Sequence, residues 1–262
     1  MKYTDIVFDL YGTLVDIYTD ENDLVWRKTA LYFGYYGAKY TGKGLKTAFS
    51  NAMKAREAKA GQSYECFPDI PFEQVMTELF EKAGVTENAA VLGMNAAQMF
   101  RILSTDYIRL YPHVKSALRA LRKKGFRLWL LSNAQRAFTA YELNHLGIAD
   151  LFDSVYISSD YGFRKPDARF FNALIREHDL DPARCLMIGN DRNTDIAGAQ
   201  AAGMATLYMH TNITPPGQTP ADPALHPANA PASCRRFEYE GSDWKALAEI
   251  LCGGSDAQRF CS

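Results

Sequence analysis

Residues 6–13 of the chain read IVFDLYGT, a short apolar run that ends abruptly at Asp9. Such a run is typical of a buried parallel strand, and Asp9 stands at its C-terminal end. Gly12 permits the tight backbone turn that has to follow a strand of this kind. In open α/β sheets, ligands bind beyond the carboxyl ends of the strands, so the segment predicts a functional carboxylate at Asp9.

The same pattern, an apolar run that stops at polar residues, recurs further along the chain. Helical patterns separate these runs, and the clearest is residues 114–124, whose apolar side chains recur at i, i+3, i+4 and i+7. Strands that alternate with helices predict an α/β fold, here a three-layer, Rossmann-like parallel sheet. The further strand candidates are residues 126–133 (FRLWLLSN), 154–160 (SVYISSD), 185–191 (CLMIGND), 206–211 (TLYMHT) and, at a sheet edge, 235–239 (RRFEY).

The segment 18–108 breaks this alternation. It shows helical patterns and no clear strand, so it predicts an all-α insert in a core that is made of residues 1–17 and 109–262. The last helix predicted in the insert runs from Asn88 to Arg109. Within the core, residues 211–233 hold six of the 11 prolines of the chain and therefore predict a loop.

The composition is that of an ordinary globular protein, since 47% of the 262 residues are apolar and 23% are charged. A formal net charge of -1 gives no general attraction for nucleic acid or acidic membranes, so neither is an expected partner. No long uncharged apolar run and no signal-peptide pattern occurs, and we expect a cytoplasmic location. The 5 cysteines have no metal-ligand spacing and are predicted to be free thiols. Composition leaves the oligomeric state open.

Four stretches of the chain, in order, resemble the motifs of the haloacid dehalogenase (HAD) superfamily of hydrolases, most of whose members are phosphatases. They are DLYGT at residues 9–13, LSN at 131–133, GFRKPD at 162–167 and GNDRNTD at 189–195. The resemblance implies the HAD fold, in which the helical insert is a mobile cap (type C1) that closes over the site and selects the substrate. Its hinges would lie at residues 18–19 and 110–111.

The resemblance also implies chemistry for individual residues. Asp9 is the implied nucleophile, which forms a covalent aspartyl intermediate and so splits one difficult displacement into two easier steps. Ser132, followed by Asn133, is implied to bind a phosphoryl oxygen, and a hydroxyl at a strand end suits an oxyanion. Lys165 matches the family lysine that neutralises the nucleophile and the transferring group. The expected substrate is therefore a small anion, in the first place a small phosphorylated metabolite.

The fourth motif, together with Asp9, implies a magnesium site. The implied ligands are Asp9, the backbone carbonyl of Tyr11, Asp191 and Asp195, an all-oxygen set that suits Mg²⁺. The common family form has an acid directly after the glycine of this motif, but this chain has Asn190 there. Whether Asp191 or Asp195 ligates the ion directly is left open by the sequence.

Tyr11 is the clearest departure from the phosphatase pattern. Phosphatases of the superfamily usually carry a second Asp two residues after the nucleophile, where it protonates the leaving group and later activates water. A phenol has an unperturbed pKa of about 10, so it is a poor base at neutral pH. Tyrosine at this place instead resembles the 2-haloacid dehalogenases, whose halide leaves without a proton.

Two chemistries and one non-catalytic function therefore compete, and another reaction at a carbon–phosphorus or carbon–oxygen bond also stays open. The retained acids Asp191 and Asp195 favour magnesium-dependent hydrolysis of a phosphate ester. The first alternative is a metal-independent 2-haloacid dehalogenase, which carries an early arginine in its cap; none occurs in residues 28–55. The second alternative is a weakly active or inactive homologue that binds a phospho-ligand. A leaving group that needs little protonation, such as an acyl or aryl phosphate, would reconcile Tyr11 with catalysis.

Overall fold

The structure is a computed structural model that describes residues 3–59, 67–214 and 235–253 of the chain. These ranges contain eight strands and ten α-helices, with short 3₁₀ turns and one π-helical turn. The strands are β1 (Asp5–Phe8), β2 (Val15–Thr19), β3 (Thr105–Leu110), β4 (Arg127–Ser132), β5 (Ser154–Ile157), β6 (Cys185–Gly189), β7 (Ala205–His210) and β8 (Arg236–Glu240). The helices are α1 (Asp23–Tyr35), α2 (Gly42–Lys59), α3 (Phe72–Lys82), α4 (Ala89–Ser104), α5 (Val114–Lys123), α6 (Arg136–His145), α7 (Ser158–Tyr161), α8 (Ala168–Glu177), α9 (Ala197–Ala201) and α10 (Trp244–Leu251).

Six of the strands form one parallel sheet in the order β5-β4-β1-β6-β7-β8. β1 lies in the middle, with β4 on one side and β6 on the other, so the carboxyl ends of these three strands are neighbours. All the strands predicted for the core are present, including the edge strand, which is β8. The predicted α/β fold with a Rossmann-like parallel sheet is confirmed.

Apolar clusters attach helices to both faces of this sheet. On one face Phe8 of β1 packs against Trp244 of α10, and α5 buries the apolar residues whose spacing predicted it. On the other face Val7 belongs to a cluster with Phe170 of α8. Successive side chains of a strand point to opposite faces, so Val7 and Phe8 anchor the two helical layers of the sandwich.

The four helices between β2 and β3 have an apolar core of their own. Phe33 of α1 stacks on Phe80 of α3 with ring centroids 3.8 Å apart, and Trp26 lies 4.7 Å from Phe100 of α4. This cluster also contains Ala137 of α6, so it reaches the core of the protein. We call residues 20–104, which include these helices, the helical insert.

The prediction that residues 18–108 contain no strand, and that their last helix reaches Arg109, is wrong. α4 ends at Ser104, and β3 pairs antiparallel with β2 as a two-stranded ribbon. Arg109 pairs across the ribbon with Asp16 at 2.8 Å. Because the side chains of β3 are only partly buried or exposed, the ribbon depends on such cross-strand pairs, and its sequence lacks the apolar alternation of a strand. The predicted domain boundaries fall inside this ribbon.

Within residues 3–59, 67–214 and 235–253, every helix is too short or too polar to span a bilayer. Of the cysteines that were predicted to be free thiols, Cys185 and Cys252 are free in the structure. The remaining cysteines, and the predicted proline-rich loop beyond Thr214, lie outside the described residues.

Candidate active site

A cavity of about 230 Å³ lies beyond the carboxyl ends of β1, β4 and β6. Asp9 follows β1, Asn133 follows β4 and Asn190 follows β6, so three neighbouring strand ends supply polar groups to it. This is where an open α/β sheet binds ligands. The lining residues are Asp9, Tyr11, Asn133, Lys165, Asn190, Asp191, Thr194, Asp195 and Ile213.

Lys165 lies at the centre of the charges in this cavity. Its Nζ donates to Asp9 Oδ1 at 2.8 Å and to the Leu131 carbonyl at 2.7 Å, and it lies 2.6 Å from Asp195 Oδ1. Only 1% of the side chain is exposed. Burial by itself would lower the pKa of Lys165, but the carboxylates of Asp195 and Asp9 raise it above its usual value. One charged ammonium therefore bridges two acids that are distant in sequence.

Asn133 holds the backbone that carries Lys165. Its Oδ1 accepts from the Lys165 N–H at 2.7 Å, and its Nδ2 donates to the Lys165 carbonyl at 3.0 Å. An amide side chain can donate and accept at once, so it engages both backbone groups of a single residue. The second and third motifs are thereby locked together, and the start of the Lys165 side chain is fixed.

Both carboxylate oxygens of Asp9 have a partner. Oδ1 accepts from Lys165, and Oδ2 accepts from the Thr13 hydroxyl at 3.0 Å. The Thr13 hydroxyl also lies 3.3 Å from Oδ1 of Asn190. Thr13 therefore links the carboxylate of Asp9 to the residue that follows β6.

Gly12 makes the close approach between the first and fourth motifs possible. Its φ is +86°, and a Cβ at this position would lie 2.1 Å from Nδ2 of Asn190. We expect Gly12→Ala to displace Asn190, to strain the backbone and to lower the free energy of unfolding by about 1–3 kcal/mol, as measured by urea denaturation. Gly34→Ala within α1 is the control, because, apart from its chain neighbours and the backbone of its own helix, no described atom lies within 4 Å of its added Cβ. Equal losses in the two variants would contradict the prediction.

Asp191 lines the cavity and caps the turn that follows it. Its Oδ1 accepts from the backbone N–H groups of Asn193 at 2.8 Å and Thr194 at 3.2 Å. The turn is π-helical over Arg192–Ile196, a wide local geometry that is often found at functional sites. Asp191 therefore stands at the start of the turn that positions Asp195, the second acid of the motif.

Asp195 lies inside that turn and is 1% exposed. One oxygen contacts Lys165 and the other accepts from the backbone N–H of Asp191 at 3.1 Å. Burial, together with the Asp9 carboxylate, raises the pKa of Asp195 to about 7, although Lys165 opposes the shift. Of the two acids, Asp195 is the one that packs directly on the Lys165 and Asp9 pair.

Two polar residues of the cavity, Thr194 and Asn190, are not among the site residues predicted from the sequence. Asn190 follows β6 directly. It is 5% exposed and lines the cavity. The signal that could have found it is its place directly after Gly189, at a strand end where the family pattern has an acid. Ile213 had no such signal, because it comes from the segment after β7 and reaches the cavity only through the fold.

Ser132 is the predicted site residue that does not line the cavity. It ends β4, is fully buried, and its hydroxyl has no hydrogen-bond partner among the described residues. A buried hydroxyl in this state carries a desolvation cost of about 1–3 kcal/mol, so it is an unusual feature at a strand end. Its contact with a phosphoryl oxygen stays a prediction.

The side chain of Tyr11 is directed towards α6. Its hydroxyl donates to Glu142 Oε2 at 2.5 Å and lies 2.9 Å from Thr139 Oγ1. Burial and the Glu142 carboxylate raise the pKa of Tyr11 far above that of an ordinary phenol. Tyr11 is therefore neutral at any ordinary pH, and it does not exchange a proton as an aspartate at this place would.

The donors of the cavity are of the kind that Mg²⁺ uses. Asp9, Asp191 and Asp195, which line it, carry carboxylates, and Asn190, which also lines it, carries a side-chain amide. Among the residues that the structure describes, no cluster of three or more His, Cys, Asp or Glu side chains is compact enough to hold an ion by itself. Proteins usually bind Mg²⁺ through one or two carboxylates, with water and substrate phosphate in the remaining positions, so this donor set fits the ion.

The chain is similar in sequence to several phosphatases. A phosphoglycolate phosphatase of Vibrio cholerae is 37% identical over 210 residues, which cover 76% of this chain and 80% of the relative. A glyceraldehyde 3-phosphate phosphatase of Methanothermobacter thermautotrophicus is 37% identical over 107 residues, 41% of this chain and 47% of the relative. The chain spans about half the length of this curated relative and of others like it.

Solved structures share the fold at low identity. A 2-haloacid dehalogenase from Pseudomonas syringae matches with a TM-score of 0.61 and 23% identity, over 95% of this chain and 98% of the other. A HAD phosphatase from Thermococcus onnurineus matches with a TM-score of 0.53 and 17% identity, over 96% and 99% of the two chains. The model of the haloacid dehalogenase-like hydrolase family matches residues 6–203, which include all four motifs around the cavity. The chain therefore belongs to the haloacid dehalogenase-like hydrolases.

Proposed function

We propose that the protein is a magnesium-dependent hydrolase of a small phosphorylated metabolite and works through a phosphoaspartyl intermediate on Asp9. The observation that carries this proposal is the buried ammonium of Lys165, 2.8 Å from Asp9 and 2.6 Å from Asp195. A fixed cation beside a carboxylate in a cavity suits the attack of that carboxylate on an anion, because it stabilises the charge that develops. The phosphatase names of the sequence relatives support the same reaction class.

In the proposed reaction a carboxylate oxygen of Asp9 attacks phosphorus. A bond forms between that oxygen and phosphorus, and the bond from phosphorus to the leaving-group oxygen breaks. Lys165 offsets the negative charge that collects on Asp9 and on the phosphoryl oxygens. Water then attacks the phosphorus of the intermediate: a bond forms from its oxygen to phosphorus, and the bond from phosphorus to the Asp9 oxygen breaks. Inorganic phosphate leaves, the carboxylate is restored, and a proton of the water passes to solvent.

Magnesium belongs to this proposal through the oxygen donors of the cavity. Asp9, the Tyr11 carbonyl and either Asp191 or Asp195 would hold it, with Asn190 as a neutral donor in place of the usual acid. When bound, the ion would offset charge on the phosphoryl group. A hard cation binds more weakly to a site with fewer charged ligands. We therefore expect half-maximal activity of the wild-type protein to need a higher Mg²⁺ concentration than half-maximal activity of the Asn190→Asp variant.

The neutral Tyr11 narrows the expected substrate class. General acid–base catalysis contributes about 10²–10⁴-fold in rate, and a tyrosine bonded to Glu142 does not supply it. A leaving group that departs as a stable anion needs no proton, and acyl and aryl phosphates have such leaving groups. We therefore expect acetyl phosphate and p-nitrophenyl phosphate to be hydrolysed at least about 100-fold faster than an alkyl ester such as glycerol phosphate.

A phosphate-release assay with and without metal tests the proposed function. With Mg²⁺ the protein is expected to turn over both activated phosphates, and EDTA is expected to lower the rate by about 100-fold or more, because the charge of the phosphoryl group is then poorly offset. Re-addition of Mg²⁺ to the same sample is the control. If neither compound is hydrolysed in the presence of Mg²⁺, the proposed phosphatase activity is contradicted.

Tyr11 also favours a second candidate, the metal-independent dehalogenation of a 2-haloacid. Halide needs no proton when it leaves, so the neutral phenol would be no handicap. Chloride release from 2-chloropropionate in EDTA, without phosphate release in Mg²⁺, would establish this activity instead. If neither activity is found and a phosphate ester still binds in calorimetry, the protein would be a phospho-ligand-binding homologue.

We propose further that the helical insert is the cap of the site, with the ribbon of β2 and β3 as its hinge. Contacts of the insert with the core support this. Gln98 of α4 donates to the Ala137 carbonyl at 2.9 Å. The backbone N–H of Arg164, next to Lys165, donates to the carbonyl of Phe67, which leads into α3, at 2.9 Å. The insert thus rests on residues that adjoin the cavity.

A further inference from the structure

An ion pair joins the helical insert to the core beside the site. Nε of Arg101, on α4, lies 2.6 Å from Oε1 of Glu142, on α6, and Nη2 lies 3.1 Å from Oε2. The two side chains are only 17% and 14% exposed. A bidentate pair that is shielded from water holds both partners in one geometry.

The carboxylate of this pair also holds Tyr11. Oε2 of Glu142 accepts from the Tyr11 hydroxyl at 2.5 Å as well as from Arg101. The Arg101 guanidinium lies 5.3 Å from the centre of the Tyr11 ring and 4.7 Å from that of Phe138. The side chain of Tyr11 is therefore held from the insert and from the core at the same time.

Tyr11 in turn belongs to the segment that carries the nucleophile. It stands two residues after Asp9, lines the same cavity and precedes the turn in which the Gly12 N–H donates to the Val15 carbonyl at 2.8 Å. A shift of the Tyr11 ring is expected to disturb this turn, because the ring is attached to the backbone that enters it. Since Arg101 comes from the insert and Glu142 from the core, the full network forms only when the insert is seated on the core.

We propose that Arg101 and Glu142 are positioning residues, which couple the seating of the helical insert to the geometry of the nucleophile turn, residues 9–13, through Tyr11. Neither lines the cavity, so neither is expected to touch the substrate. The kinetic consequences rest on the proposed function, whereas the mechanical coupling does not. The tests are therefore of two kinds.

Hydrogen exchange followed by mass spectrometry tests the coupling without a substrate. Glu142→Gln keeps the shape of the side chain but removes its charge, so the bonds to Arg101 and Tyr11 weaken. We expect the amides of residues 9–13 and of the last turns of α4 to exchange about tenfold faster. Glu78→Gln is the matched control, because Glu78 pairs with Arg56 at 2.9 Å within the insert, and it is expected to leave residues 9–13 unchanged.

A double-mutant cycle tests whether Glu142 acts through Tyr11. Tyr11→Phe removes the hydroxyl that Glu142 holds. If the coupling passes through this contact, the double variant is expected to exchange the amides of residues 9–13 less than about twofold faster than Tyr11→Phe alone. Additive effects of the two changes would overturn the proposed route.

Turnover of p-nitrophenyl phosphate gives the kinetic test. Arg101→Ala is expected to lower kcat by about 10–100-fold with KM within about threefold, because a misplaced nucleophile turn affects the reacting geometry more than binding. Arg101→Lys keeps the charge but not the fork of donors, and is expected to recover part of kcat. A rise in KM at constant kcat, or no recovery by lysine, would count against a positioning role.

The failure of the proposed function can be told apart from the failure of this inference. A protein without any turnover contradicts the proposed function, and the exchange experiments then decide the coupling alone. If Glu142→Gln leaves the exchange of residues 9–13 unchanged, or if Glu78→Gln changes it equally, the coupling is overturned whatever the activity is.

Discussion

Asp9→Asn is expected to abolish turnover while the fold stays intact. An amide of the same shape keeps the packing at the end of β1 but has no charged oxygen with which to attack phosphorus. The expected loss in kcat is about 10⁴-fold or more, because the first covalent step is removed rather than slowed. Stability is expected to change little, since Lys165 keeps Asp195 as a partner at 2.6 Å and the repulsion between Asp9 and Asp195 is relieved.

The decisive measurement is covalent phosphate on the protein, together with the rate. Wild-type protein that is quenched in acid during turnover of acetyl phosphate is expected to carry one added phosphoryl group by intact mass, and Asp9→Asn to carry none. Asp5→Asn is the matched control, because Asp5 is 1% exposed on the same strand but at its opposite end, where it accepts from Trp129. A phosphorylated Asp9→Asn, or an equal loss of activity in Asp5→Asn, would contradict the assignment of the nucleophile.

Lys165→Met is expected to impair both activity and stability. The substitution roughly conserves volume but leaves Asp9 and Asp195 in the same cavity without the ammonium between them. Removal of one partner of a buried ion pair costs about 3–5 kcal/mol of the free energy of unfolding, because the remaining charge is left uncompensated. Loss of the cation that stabilises the developing charge is expected to lower kcat by about 10²–10³-fold. Lys123→Met on the exposed face of α5 is the control.

The stability loss of Lys165→Met is expected to depend on pH with a defined sign. The pKa of Asp195 is already raised to about 7 while Lys165 opposes the shift, so it rises further in the variant. A raised pKa in the folded state means that stability is present at low pH and is lost as the pH rises through that pKa. Urea unfolding at pH 5.5 and pH 8.5 is expected to show the larger gap from wild type at the higher pH. An equal gap at both would contradict this account.

The strands of the core follow from local sequence patterns, so they can be predicted from the sequence. The apolar runs that stop at Asp9, Asn133 and Asn190 are all strands, because a buried parallel strand needs a continuous apolar run. The carboxyl ends of parallel strands meet at one edge, so the polar residues after them had to come together. By contrast, β3 was predicted as helix, because an exposed ribbon imposes no apolar pattern on its residues.

The sequence places a carboxylate at the end of the central strand, and the family resemblance implies that Asn133, Lys165 and the acids after β6 share a cavity with it. How these groups meet depends on the tertiary structure. Lys165 bridges Asp9 and Asp195 because segments far apart in the chain converge there, and their long-range attraction has no signature in any one of them.

Tyr11 is the clearest case of a residue whose identity is read from the sequence but whose state depends on the tertiary structure. The sequence determined that a phenol replaces the usual acid two residues after Asp9. The tertiary structure decided that this phenol is neutral and bonded to Glu142, 131 residues away, which in turn pairs with Arg101 of the helical insert. The state of a buried tyrosine depends on which charges surround it, and those charges are supplied by packing between elements, which local sequence does not encode.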